Sequence, residues 1–191
     1  LYPPMRFIFY LTYLFFNSRS FVVMTIILVV GGGLTRAGTA SLLSKSSHLA
    51  STLEVAVWDK ARGCGGRMST SRMPSKPNCT ADLGAQYITA IPSYARTHSN
   101  FYDELTSSGI LTPLKLPIEG QKTNSIGTVD YICPLGSSSL VKYYFEQASI
   151  QTKFERKVSR LEYLKPSLKV SSTKEQTAHT KQWNVFAESG D

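Results

Sequence analysis

Two glycine-rich turns with an acid between them carry the chemistry legible in this sequence. Gly31, Gly32 and Gly33 follow directly on the apolar run Ile26-Ile27-Leu28-Val29-Val30. Gly31 suits a tight turn, and Gly33, lacking a Cβ, lets a bound group come up against the backbone. Leu34 and Thr35 open a helix-like segment whose free N–H groups and positive dipole end favour an anion. Asp59 closes a second apolar run, Leu53 to Trp58, and is placed to accept hydrogen bonds from ribose hydroxyls. It lies 26 residues past Gly33, a little beyond the usual spacing of about 20. A second turn, Gly65-Gly66-Arg67, lets backbone pass close to a bound group and adds a guanidinium fork suited to phosphate. These types in this order suit a dinucleotide. No nucleophile or general acid/base pair stands out, as expected where a cofactor carries the chemistry.

The elements that must position these residues form a βαβ unit. The first apolar run reads as a parallel strand covered on both faces. Ala37 to Leu43 continues the helix, and Leu53 to Trp58 is the second strand. One residue breaks the pattern. Arg36 stands at the third glycine position of G-x-G-x-x-G, where helix and strand pack too closely for a side chain. The expectation is overpacking of about 1–3 kcal/mol, so that Arg36→Gly raises both stability and cofactor affinity; the alternative is that Arg36, in the first turn of the helix, reaches a phosphate.

Downstream, residues 69–80 are rich in Ser, Pro, Lys and Asn and read as a loop. In Asp82-Leu83-Gly84-Ala85-Gln86-Tyr87, Gly84 and Ala85 are small enough for a flat ring to lie on the backbone. Pro92 opens a helix over 93–107, in which His98 reads as a surface residue. Residues 109–133 read as short strands and turns, and a helix follows from Pro134-Leu135-Gly136 to Gln147. Residues 150–164 suggest two strands about a turn at Glu155-Arg156-Lys157. Residues 165–182 read as a loose loop, and 182–187 as one further strand.

At 191 residues with ordinary apolar content, the chain suits about one domain with a sizeable core. The net charge of +8 is scattered, so it reads as a solvated surface rather than a nucleic-acid face. Three separated cysteines, Cys64, Cys79 and Cys133, indicate neither a disulfide framework nor a metal site. Residues 1–23 read as a non-domain extension. Phe7 to Phe16 is apolar but shorter than the roughly 20 residues that span a bilayer, and no small-residue cleavage site stands out. The domain is expected to start at Met24, with no membrane span and a cytoplasmic location; secretion is the alternative.

Ala56-Val57-Trp58-Asp59-Lys60, Gly65-Gly66-Arg67-Met68, Cys79-Thr80-Ala81-Asp82-Leu83-Gly84-Ala85-Gln86-Tyr87-Ile88-Thr89, Phe101-Tyr102-Asp103-Glu104-Leu105 and Pro117-Ile118-Glu119-Gly120 together resemble the renalase family, flavoproteins related to the amine oxidases. The resemblance implies an α/β fold: a Rossmann-like FAD/NAD(P)-binding domain over 24–191, incomplete at its C-terminus, with the start of an inserted α+β substrate domain. It implies FAD as cofactor. It also implies oxidation of isomeric reduced nicotinamide dinucleotides, with oxygen as acceptor and hydrogen peroxide as product. By position, Gly31, Gly33 and Thr35 would hold the pyrophosphate, Asp59 the ribose, and Gly66 and Arg67 the phosphate region. Gln86 and Tyr87 would lie near the flavin, and Val158 would meet the adenine through its backbone. The alternatives are a flavin amine oxidase acting on amines and a truncated, non-catalytic nucleotide-binding product.

Overall fold

The computed structural model describes residues 8–17, 20–46, 53–116, 119–120, 125–148, 150–164 and 182–188. The glycine turn is built into a sheet. Strands β1 (Ile8–Asn17) and β2 (Ser20–Val30) pair antiparallel from Ile8↔Val29 to Asn17↔Ser20. Helix α1 (Leu34–Ser44) follows the turn and leads to β3 (Leu53–Trp58), which runs parallel to β2 from Thr25↔Leu53 to Val30↔Trp58. The expected β-α-β unit is therefore present. The strand expected after Met24 begins upstream of it, and part of the 1–23 extension is its antiparallel partner.

Residues 69–80, expected as a loop, instead form the hairpin β4 (Thr70–Met73) and β5 (Lys76–Asp82). Its strands are exposed along nearly their whole length, so they carry no apolar alternation to betray them. Next come β6 (Ile88–Ala90), α2 (Pro92–Thr97), α3 (Ser99–Ser107), β7 (Thr112–Pro113) and β8 (Val129–Ile132). The helix expected over 93–107 is two helices, because His98 leaves helical geometry at φ −118°, ψ 20°. β6, β8 and β7 form a small antiparallel sheet. Helix α4 (Ser138–Gln147) then returns the chain to the main sheet, where β9 (Gln151–Lys153) pairs parallel with β3. A hairpin of β10 (Val158–Leu164) and β11 (Gln182–Ala187) completes the described elements. The expected loop over 165–182 lies outside the described residues, apart from Gln182 at the start of β11.

Packing explains the order β1-β2-β3-β9. Two crossovers stepping the same way along a sheet place their helices on one face, and α1 packs on α4. That face buries Ile27, Val29, Val55 and Val57 against Ala37 and Ala40 of α1 and Leu140, Val141, Tyr144 and Phe145 of α4. Small residues on α1 bring it close to the strands, and the α4 positions follow helical spacing. On the opposite face Ile26, Leu28, Ala56 and Trp58 border a cavity of about 450 Å³ with Trp183, Val185 and Phe186 of β11. Leu28 is buried like Ile27 and Val29, which accounts for the uninterrupted apolar run of β2.

The amino end of α4 is fastened by the hairpin. The Asp82 carboxylate accepts from the Thr70 hydroxyl at 2.6 Å and from the Ser137 N–H at 2.8 Å. The Ser138 N–H donates to the Thr70 hydroxyl oxygen at 3.0 Å. Two helix-end donors are thus capped from outside the helix. Burial alone pushes the Asp82 carboxyl up, but hydrogen bonds from Thr70 and Ser137 and the charge of Arg72 outweigh it and hold it below the usual carboxylate range. A depressed folded-state value adds stability above the unfolded value, and that stability is lost as pH falls through the folded one. The stability advantage of wild type over Asp82→Asn should therefore be full at neutral pH and shrink on acidification below about pH 4. Urea melts of both proteins across that range check it; a constant gap would remove Asp82 as an ionised cap.

Candidate nucleotide-binding cleft

The carboxyl ends of β2 and β3 open on a cleft of about 1200 Å³, where open α/β sheets bind ligands. Gly31 turns the chain out of β2 at φ 106°, and its N–H donates to the Trp58 carbonyl at the end of β3 at 2.6 Å. The next residue is held through both its backbone groups. The Gly32 N–H donates to Asp59 Oδ2, and the Gly32 carbonyl accepts from the Gly65 N–H at 2.8 Å. The other Asp59 oxygen accepts from the Ala61 N–H at 2.8 Å. Both oxygens are thus tied to backbone, and each keeps a further lone pair for a ligand hydroxyl. The Asp59 backbone is tied as well, its N–H to the Lys153 carbonyl at 2.9 Å and its carbonyl to the Arg156 N–H at 2.8 Å.

The two glycine turns meet through a parallel bridge between Gly33 and Gly65. Gly65 has φ 131°, and a Cβ on it would lie 2.9 Å from the Ser69 Cα. Gly66 has φ 55° and approaches the Gly33 Cα. At Gly33 itself, nothing lies within 4 Å of the place a Cβ would occupy. Its missing side chain therefore leaves open space in the cleft rather than room for a protein neighbour. Gly84 is used differently: a Cβ there would fall 2.0 Å from the Arg67 carbonyl oxygen, which also accepts from the Ala85 N–H at 3.0 Å. The smallness read as room for a flat ring serves the protein's own backbone packing.

Of the residues singled out from the sequence, Gly31, Gly33, Thr35, Asp59, Gly66, Arg67 and Val158 line this one cleft. Gln86 and Tyr87 are exposed and are not among its lining residues. Sequence reasoning missed Lys60, Ala61, Arg156 and Lys157, which also line it. The signal was available for the pair Arg156 and Lys157, which sit in the turn read between β9 and β10. Arg156 also lies over the Trp58 ring, 5.5 Å from its centroid.

Arg36 is a correction. Its side chain is exposed and lies across Gly31, with Cδ, Cζ and Nη1 at 2.9–3.0 Å from the position of a Cβ on that glycine. It is folded into the cleft and is not wedged between α1 and the sheet, whose contact is made by Ala37 and Ala40. The expected overpacking therefore has no structural basis.

Burial pushes the thiols of Cys64 and Cys133 up, the latter to about 11, so neither is a thiolate at neutral pH. Among the described residues no cluster of His, Cys, Asp or Glu is suited to a metal ion, and no helix is long and apolar enough to cross a membrane.

Residues 29–105 match a family model described as an NAD(P)-binding Rossmann-like domain. A curated relative from Mus musculus is 44% identical over 138 residues, 72% of this chain and 40% of its own length. That relative is renalase. The resemblance read from the sequence therefore stands, and the chain spans 40% of the length of the renalase it matches. Solved structures with similarity include Thermovibrio ammonificans THI4, at TM-score 0.45 and 11% identity over 73% of this chain and 40% of that one. Another is the Diels-Alderase PyrE3 of pyrroindomycin biosynthesis, at TM-score 0.44 and 12% identity over 87% of this chain and 29% of that one.

Because the Asp59 carboxylate ties two backbone donors, its loss should be felt without any ligand. Asp59→Asn turns one acceptor oxygen into a donor facing an N–H group. The nucleotide-free protein should lose about 1–3 kcal/mol of stability, the range for a buried donor left unpaired. Denaturant melts of stripped protein measure it; an unchanged midpoint would mean the carboxylate serves the ligand alone.

Proposed function

We propose that the whole protein is an FAD-dependent oxidoreductase of renalase type, with this cleft holding the adenosine diphosphate half of the cofactor. The observation that carries the reading is the pair of glycine turns joined through the backbone of Gly32 and open to the cleft at Gly33. A backbone cradle that a Cβ would fill is what a diphosphate needs in order to approach a helix start.

Each residue then has a task. The free N–H groups at the start of α1, near Leu34 and Thr35, donate to phosphate oxygens. Asp59 accepts from ribose hydroxyls with the lone pairs its backbone partners leave open. Arg67 offers a fork of donors from the second turn. Val158 meets the adenine through backbone at the far end. Gln86 and Tyr87 are assigned to the flavin side, beyond the lining of this cleft. When bound, the flavin supplies hydride acceptance and electron transfer to oxygen. The chain's own part is to bind, orient and neutralise. The substrate class we assign, isomeric reduced nicotinamide dinucleotides, rests on the similarity to renalase; the cytoplasmic location we assign rests on cysteines that form no disulfide framework.

The whole protein should purify yellow, with the absorbance of oxidised flavin. Well-folded protein that carries a nicotinamide dinucleotide and no flavin would move the assignment to a nicotinamide reductase. Arg67→Ala should weaken FAD retention by about 1.5–3 kcal/mol, the range for hydrogen bonds to a charged group. Flavin titration reads this directly, and unchanged retention would remove Arg67 from the site.

A further inference from the structure

We propose that Arg36 is a side-chain ligand of the cofactor's diphosphate, resting over Gly31 until the anion arrives. This rests on reading the cleft as a nucleotide site and goes beyond it, because the glycine-turn motif supplies only backbone donors at that place.

Three observations converge. First, the guanidinium is at the floor of the cleft, with Nη1 and Cζ at about 3 Å from the Cβ position of Gly31. It reaches the turn that a diphosphate must approach. Second, no carboxylate among the described residues forms an ion pair with Arg36. The first turn of α1 holds no acid, and its N-cap, Gly33, gives no side-chain bond. A cation against the positive end of a helix dipole is poorly placed when alone and well placed once an anion sits between them. Third, the surroundings are basic. Lys60, Arg67 and Arg156 line the same cleft, as does Lys157, which is paired with Glu188 at 2.9 Å, while the acid among its described lining residues, Asp59, is already bound by two backbone N–H groups. The cleft as a whole is built for a polyanion. Because the Arg36 side chain is exposed, it moves from Gly31 onto a phosphate oxygen without unpacking any core.

The test is binding of ADP, inorganic pyrophosphate and FAD to the whole protein stripped of nucleotide, by calorimetric or fluorescence titration at two salt concentrations. Arg36→Gln and Arg36→Gly are compared with wild type, and Arg36→Lys serves as the charge-retaining variant. Removing the charge should weaken ADP, pyrophosphate and FAD about ten-fold or more, as for a hydrogen bond between charged groups, and should flatten the salt dependence. Arg36→Lys should recover part of the affinity, since it keeps the charge and loses the fork. Melting temperatures of the stripped Arg36→Gln and Arg36→Lys variants should not fall below wild type, which separates a ligand role from a structural one, while Arg36→Gly also carries the cost of a glycine within a helix. If wild type binds ADP and the glycine variant binds it equally well or better, Arg36 is no ligand and the nucleotide site stands without it. If wild type binds none of the three, the reading of the cleft falls, and this proposal with it.

Discussion

The doubly held backbone of Gly32 is the constraint on which the site depends. Its N–H is held by the Asp59 carboxylate and its carbonyl by the Gly65 N–H. One residue thus joins the end of β2, the end of β3 and the second glycine turn. Without it the two turns would be separate loops, each free to take many backbone conformations, and glycine loses the most freedom when it is ordered. With it they form one surface that presents the α1 start to the cleft. The acid at this position therefore has a role in the protein's own fold, since its oxygens satisfy donors that would otherwise be orphaned.

A second fastening reaches the same cleft from the other side. The exposed hairpin of β4 and β5 buries little, yet its paired residues Thr70 and Asp82 cap α4. α4 in turn packs on α1, the helix whose amino end faces the cleft. The residues after Asp82 run straight into Leu83, Gly84 and Ala85 at the cleft wall, locked there by the Arg67 carbonyl. Helix capping, helix packing and the position of Arg67 are thereby linked through a hairpin that contributes almost nothing to the core.

The sequence was most legible where one residue type has one use. The β-α-β unit, the glycine turns, Asp59 and Arg67 could be read because each demands a special residue at a fixed place, and the cleft gathers them. The hairpin at 70–82 could not, since a two-stranded sheet exposed on both faces leaves no alternation to detect. The single helix expected over 93–107 failed at His98, where no glycine or proline marks the break. Arg36 was misread for a different reason. Its position in the motif favoured strain at the helix–strand contact over reach to a phosphate, but a rotamer turned toward the cleft avoids that contact altogether, and sequence position does not specify rotamers.

Topology adds one last restriction. β2, β3 and β9 take the places of the first, second and third strands of a doubly wound sheet. In that fold the next parallel strand is added on the free side of the first strand. Here β1 lies on that side, paired with β2 along its full length from Ile8 to Asn17. Each backbone N–H and C=O on that edge can enter only one ladder, so β1 and a further parallel strand are alternatives. An open edge on β2 would invite pairing with another chain, and β1 closes it. Any arrangement that places a fourth parallel strand there must first remove β1, while the pairing of β2 with β3, and with it the glycine turn, is untouched by the exchange.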